Sequence, residues 1–141
     1  MGRINTVRVL LGGVVAGIVA NALDYVINMY LVKEEGDAMV QRLLLRPENI
    51  DSSVYTWAAV DMIWGVLLVF TYAGFRPRFG PGPKTAMITG ALLWLTVVIV
   101  IAGFTSMGIF TQAAFMKTSA LMLGNALISS LIGAYLYKED E

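Results

Sequence analysis

The stretch from Thr85 to Tyr137, TAMITGALLWLTVVIVIAGFTSMGIFTQAAFMKTSALMLGNALISSLIGAYLY, contains one charged residue, Lys117. A bilayer core about 30 Å thick takes about 20 mostly apolar residues per helix, so the stretch is too long for one crossing and long enough for two. Thr105, Ser106, Gly108, Thr111 and Gln112 dilute the apolar pattern and place a turn between them. Working outward, Val54 to Phe75 contains only Asp61 and Val9 to Val32 contains only Asp24 as charged residues. The reading is an all-α integral membrane protein: a single domain, residues 1–141, with four transmembrane helices in a bundle at about 7–32, 54–75, 84–104 and 114–137.

Composition agrees. Hydrophobic residues make up 57% and charged residues 14% of the chain, against about 45–50% and 25% in soluble domains. Ten basic and ten acidic residues cancel, which gives no electrostatic footprint for nucleic acid. With no Cys and no His, the chain has no disulfide, thiolate zinc site, Cys nucleophile, His base or His-ligated haem. No catalytic motif or metal set is present, so the expectation is a non-enzyme with no cofactor beyond bound lipid. Arg3 and Arg8 ahead of an apolar run to Ala20-Asn21-Ala22 imitate a secretory signal. The run continues through Met29 to Val32, which is long for such a signal and reads as a retained first span.

Short flanking loops set orientation through Lys and Arg. With both termini inside, the cytoplasmic side holds Arg3, Arg8, Arg76, Arg78, Lys84 and Lys138, and the outer side Lys33, Arg42, Arg46 and Lys117. The connector Arg76 to Lys84 has three cations, no acid and three of the four prolines, which are expected to end span 2 abruptly. The sequence Arg-Pro-Arg-Phe-Gly-Pro-Gly-Pro-Lys-Thr-Ala at Arg76 to Ala86, with Val9 to Gly17 and Gly133 to Lys138, resembles an uncharacterised family of small bacterial four-span membrane proteins. The resemblance implies a bacterial inner-membrane location and carries no activity, substrate or cofactor.

The long outer connection, Lys33 to Ser53, places Met39, Val40, Leu43 and Leu44 at helical spacing. A short amphipathic helix from Asp37 to Leu45 is expected at the interface, ended by Arg46-Pro47. It would cap the bundle or offer a docking surface. Within the spans, close helix approach needs small residues. Gly13 and Gly17 form a G-x-x-x-G pair beside Ala16 and Ala20, and span 4 offers Ala120, Gly124 and Gly133. Packing of spans 1 and 4 against each other is expected ahead of a homodimer seam.

One constellation has chemical content. Asn21, Asp24 and Asn28 form a polar stripe on span 1, Asn125 and Ser129 lie one turn apart on span 4, and Asp61 sits between Trp57 and Trp64 on span 2. Counting from the outer ends puts Asp24 and Asp61 at similar depth, about 10–12 Å below the surface. A carboxylate there costs about 2.5–3.5 kcal/mol on insertion scales. The set is either a hydrogen-bonded cluster that holds register or a proton or cation site. Tyr30, Tyr55, Trp57, Phe75, Phe79, Phe110, Phe115, Tyr135 and Tyr137 fall near span ends as an interfacial belt. Trp57, Trp64, Tyr72 and Trp94 offer a lesser reading as an apolar pocket for a pigment or quinone. The leading functional expectation is an accessory, structural or scaffolding subunit of a membrane complex or self-assembly, its partners being the lipid bilayer and membrane proteins or further copies of itself. A small oligomeric transporter or channel component using Asp24 and Asp61 stands second, and an enzyme acting on lipid or quinone third.

Overall fold

The computed structural model describes residues 4–138; Arg3, one of the cations expected on the cytoplasmic side, lies outside the described residues. The described residues form helices joined by short connectors, with no strand among them, and four of the helices are long and apolar enough to cross a membrane. Helix α1 spans Thr6–Val26, its first turn capped by Asn5, whose side chain accepts from the Arg8 backbone N–H at 2.8 Å. It continues as a π-type turn over Ile27–Leu31, where the Val32 N–H bonds the Ile27 carbonyl five residues back. The Asn28 amide donates to the Asp24 carbonyl at 2.9 Å, the acceptor that a regular α-helix gives to the Asn28 backbone. Such side-chain competition loosens the helix locally.

Helix α2, Lys33–Arg42, is the expected interfacial helix, starting four residues and ending three residues earlier than expected. Leu44 turns into the left-handed region at φ 51° and breaks the helix there. Arg46-Pro47 then plays a different part from the one expected. Arg46 is extended, as a residue before proline must be, and Pro47 starts α3 at a position whose N–H has no helical partner anyway.

Helix α3, Pro47–Phe79, overruns the expected span at both ends, reaching roughly 50 Å at 1.5 Å per residue. Pro77 does not end it. It falls in the last turn, where one missing hydrogen bond is tolerable, and the stop comes at Gly80, with φ 82°. The connector shrinks to Gly80-Pro81-Gly82, because Gly82 at φ 123° turns the chain directly into Pro83, the first residue of α4. The Gly82 N–H donates to the Tyr72 hydroxyl at 3.0 Å and the Thr85 hydroxyl donates to the Gly80 carbonyl at 2.7 Å. Helices α4, Pro83–Ser106, and α5, Gln112–Leu136, meet the expected bounds within about two residues, around a turn with Gly108 at φ 82°.

Helix α1 packs against α3 and α5, and α4 packs mainly against α5 with an edge on α3. The core is small-residue and central: Ala16, Leu68, Val69, Ala73 and Ala86 are almost fully buried. Large side chains such as Ile63, Phe70, Ile99 and Val100 face outward, toward lipid in a membrane-spanning bundle. Tyr30 and Tyr135 are exposed at helix ends, as a belt requires, and Tyr55 is exposed about two turns into α3, but Tyr137 is buried. It meets Tyr72 edge to face at 6.1 Å, with the Arg76 guanidinium 5.3 Å from its ring centre, and its hydroxyl accepts from the Asn5 N–H. Tyr137 thereby ties the end of α5 to the start of α1 and the end of α3.

Candidate functional site

The chemistry-bearing residues lie on ladders of four-residue spacing, a repeat that keeps side chains on one helix face. Two such ladders run side by side on α1. Gly13, Gly17 and Asn21 face α3: a Cβ on Gly13 would lie 2.6 Å from the Val66 Cα, one on Gly17 would lie 2.8 Å from the Met62 Cα, and the Asn21 amide donates to the Ala58 carbonyl at 3.2 Å. Gly12, Ala16, Ala20 and Asp24 face α5: a Cβ on Gly12 would meet the Gly133 carbonyl oxygen at 2.7 Å, and the Asn125 amide bridges the Ala20 carbonyl at 3.2 Å and the Asp24 carboxylate at 3.0 Å. The stripe read on span 1 is thus split, with Asn21 serving one neighbour and Asp24 the other.

Helix α5 is two-faced in the same way. Asn125, Ser129 and Gly133 face α1, and the Ser129 hydroxyl donates to the Asn125 side-chain carbonyl at 2.9 Å. Each polar atom of the Asn125 amide group therefore has a partner. Ala126 and Ser130 face α4: the Ser130 hydroxyl donates to the Ala86 carbonyl at 2.7 Å, and a Cβ on Gly90 would meet the Ala126 carbonyl at 2.8 Å. The Trp94 indole N–H donates to the Ser119 carbonyl at 2.8 Å. With Trp57 exposed and Tyr72 buried at the far end of α3, the four aromatics considered for a pigment or quinone form no common pocket.

The structure changes further expectations. Gly13 and Gly17 pack against α3 rather than span 4; their counterpart is Gly65, where a Cβ would collide with the Gly17 N and the Gly13 carbonyl oxygen. Gly124 borders open space, with nothing within 4 Å of a Cβ placed there. Asn28 is exposed and bonds only within its own helix. Gly12, Gly65, Ala86 with Gly90, and Ala126 with Ser130 were not singled out, although small residues four apart announce the last two pairs.

Asp24 and Asp61 are not level. Asp61 lies across from Gly17, and Asp24 is seven residues farther along α1, roughly 10 Å. The apolar runs of α1 and α3 start at different heights, so counting from their outer ends misplaced one against the other. Side chains in helices lean toward the N-terminus, and because α1 and α3 run antiparallel, the two carboxylates lean toward each other. Asp61 is buried, and among the described residues no donor reaches its carboxyl group. No group of three acidic, His or Cys residues capable of holding a metal forms among the described residues.

A second polar region lies at the end of the bundle that carries α2. The Arg42 guanidinium donates to the Gly108 and Ile109 carbonyls of the α4–α5 turn, and Lys117 pairs with Glu35 at 2.7 Å. The hydrogen bond from Lys117 holds the Glu35 carboxyl below the usual carboxylate range. These contacts fasten α2 across the mouth of the bundle. Lys117, Glu35, Glu34, Lys33, Leu31, Tyr30 and Met29 line a cleft of about 390 Å³ there. Comparison of the chain with protein-family models, curated proteins and solved structures gives no match.

Proposed function

We propose that this chain is a small scaffold of the bacterial inner membrane, an accessory or structural subunit of a larger membrane complex or of an assembly of its own copies, with both termini cytoplasmic and α2 outside. The observation that carries the reading is the use made of the intramembrane polar groups. Asn21, Asn125, Ser129 and Ser130 each spend their hydrogen bonds joining one helix to another or supporting such a joint, and glycine and alanine close the same seams. Such an interior fixes helix positions and presents its exterior. Two apolar stripes at helical spacing stand outward: Val60, Ile63, Leu67 and Phe70 on α3, and Leu92, Leu95 and Ile99 on α4. A photo-crosslinking residue placed singly at Ile63, Phe70, Leu95 and Ile99 in native membranes tests this. A defined protein adduct from one stripe is expected; lipid adducts alone from every position would refute the role.

Asp61 supports a second reading, a component of a small oligomeric transporter or channel. Asp61 is buried, no donor reaches its carboxyl group among the described residues, and a carboxyl so placed within a span is by default a candidate for handling a proton or a cation. In reconstituted vesicles that reading predicts flux eliminated by Asp61→Asn, whereas the scaffold reading predicts no flux from either form.

A further inference from the structure

The cleft beneath α2 combines features that the bundle seams do not need. One wall is Met29, Tyr30 and Leu31, apolar in composition, partly exposed and belonging to the π-type turn at the end of the first span. The other wall carries Lys33, Glu34, Glu35 and Lys117, two ammonium groups and two carboxylates. Lys117 satisfies one Glu35 oxygen, but Oε2 is closed off from solvent and has no hydrogen-bond partner among the described residues. Leaving a buried charged acceptor unmade is unfavourable. The terminal torsion of a glutamate is soft, so a donor arriving in the cleft can reach it by a small rotation.

We infer that this cleft binds the headgroup of a zwitterionic phospholipid bearing a primary amine, a phosphoethanolamine lipid. The lipid's ammonium donates to Glu35 Oε2 and Glu34, its phosphate lies against Lys117 and Lys33, and its acyl chains leave past Met29 and Leu31 into the bilayer. Mixed charge argues against a purely anionic headgroup, which would meet two carboxylates. A trimethylammonium headgroup has no N–H to give Glu35. Lys33 also pairs with Asp37 at 2.6 Å, and that partner stands on the exposed side of α2. Lys117 lies about one and a half turns into α5, where a long basic side chain extends to the interface while its stem stays among apolar groups.

The inference rests on the membrane-spanning reading and is independent of the scaffold role, because its test uses purified protein. The protein is reconstituted in nanodiscs of equal parts phosphatidylethanolamine, phosphatidylcholine and phosphatidylglycerol with identical acyl chains, and retained lipid is read by native mass spectrometry. Phosphatidylethanolamine should be retained about tenfold over either competitor. Glu35→Gln should remove the preference, and Lys117→Gln should weaken retention of all three. A series of mono-, di- and trimethylated phosphatidylethanolamine on the unaltered protein should show retention falling with each N–H lost, whatever the variants do to folding. Equal retention of the three lipids, a flat methylation series, or an undiminished preference in folded Glu35→Gln would overturn the proposal. So would full competition by soluble glycerophosphoethanolamine, which would assign the cleft to a water-borne ligand.

Discussion

Helices α4 and α5 differ in a way opposite to what a soluble protein teaches. Helix α4 is the most apolar of the four, yet only 11% of its membrane-length window is buried, whereas the least apolar, α5, has 33% buried. In water the apolar helix would be the core. In lipid, burial earns nothing from apolarity alone, because acyl chains solvate leucine as well as a neighbouring helix does. Close backbone approach and hydrogen bonding decide instead. Helix α5 brings Asn125, Ser129, Ser130 and Gly133 to two neighbours, while α4 buries only Thr85, Ala86, Thr89 and Gly90 at its first two turns.

The sharpest way to break that contrast is to add volume on each side of it. Gly65→Leu would drive a side chain into the Gly13 and Gly17 backbone, and overpacking against backbone should cost about 3 kcal/mol or more, enough to lose the folded bundle. Gly103→Leu on α4 has open space and should leave the melting temperature in mild detergent unchanged or higher, since glycine is a poor helix former. Equal losses from both would mean that α4 is packed where its exposure says it is not.

Next in size is the amide joint. Asn125→Leu removes the bonds to Ala20 and Asp24 and strips Ser129 of its acceptor. Intramembrane hydrogen bonds average about 0.6 kcal/mol, so the joint should contribute about 2 kcal/mol by thermal or denaturant unfolding. Asp24→Asn keeps an acceptor for Asn125 and should cost under about 1 kcal/mol. Truncations on the outward stripe of α4, Leu95→Ala or Ile99→Ala, should shift stability by less than about 0.5 kcal/mol while weakening any partner contact read by crosslinking.

The number of spans and the α4–α5 turn were legible in the sequence because long apolar runs and their dilution are local signals. So were Asn125 with Ser129 and Gly13 with Gly17, whose four-residue spacing depends on one helix alone. What was hidden depends on two helices at once. Nothing within α1 says that Asn21 serves α3 while Asp24 serves α5, and nothing within α3 says that Gly65 meets a glycine pair. Arg46-Pro47 and Pro77 misled for another reason. Proline restricts the residue before it and removes one donor, which suits a helix start or a last turn as well as a stop.

The smallest expected effect is at the α2 end. Glu35 has its carboxyl lowered by Lys117, so its contribution to holding α2 is present above the ordinary glutamate pKa of about 4.3 and is lost as pH falls through the lower folded-state value. Amide-exchange protection of α2 should hold from pH 7 to about 5 and fall below about 4, while that of α1 and α5 near Asn125 stays constant. Lys117→Gln should make α2 protection low and independent of this titration.

The inner seam is closed by protein rather than filled by water, and the natural absence of Cys makes that directly measurable. Ser129→Cys is a near-isosteric change at a fully buried position and Ser106→Cys sits exposed at the end of α4. Thiols react with charged methanethiosulfonate reagents as thiolates in water. In reconstituted protein, with reagent on both sides, Ser106→Cys should be modified within minutes and Ser129→Cys should stay unmodified until the protein is unfolded. Modification of Ser129→Cys in the folded protein would put water beside Asn125 and Asp24, contradict the closed seam, and move the conclusion to a conducting path.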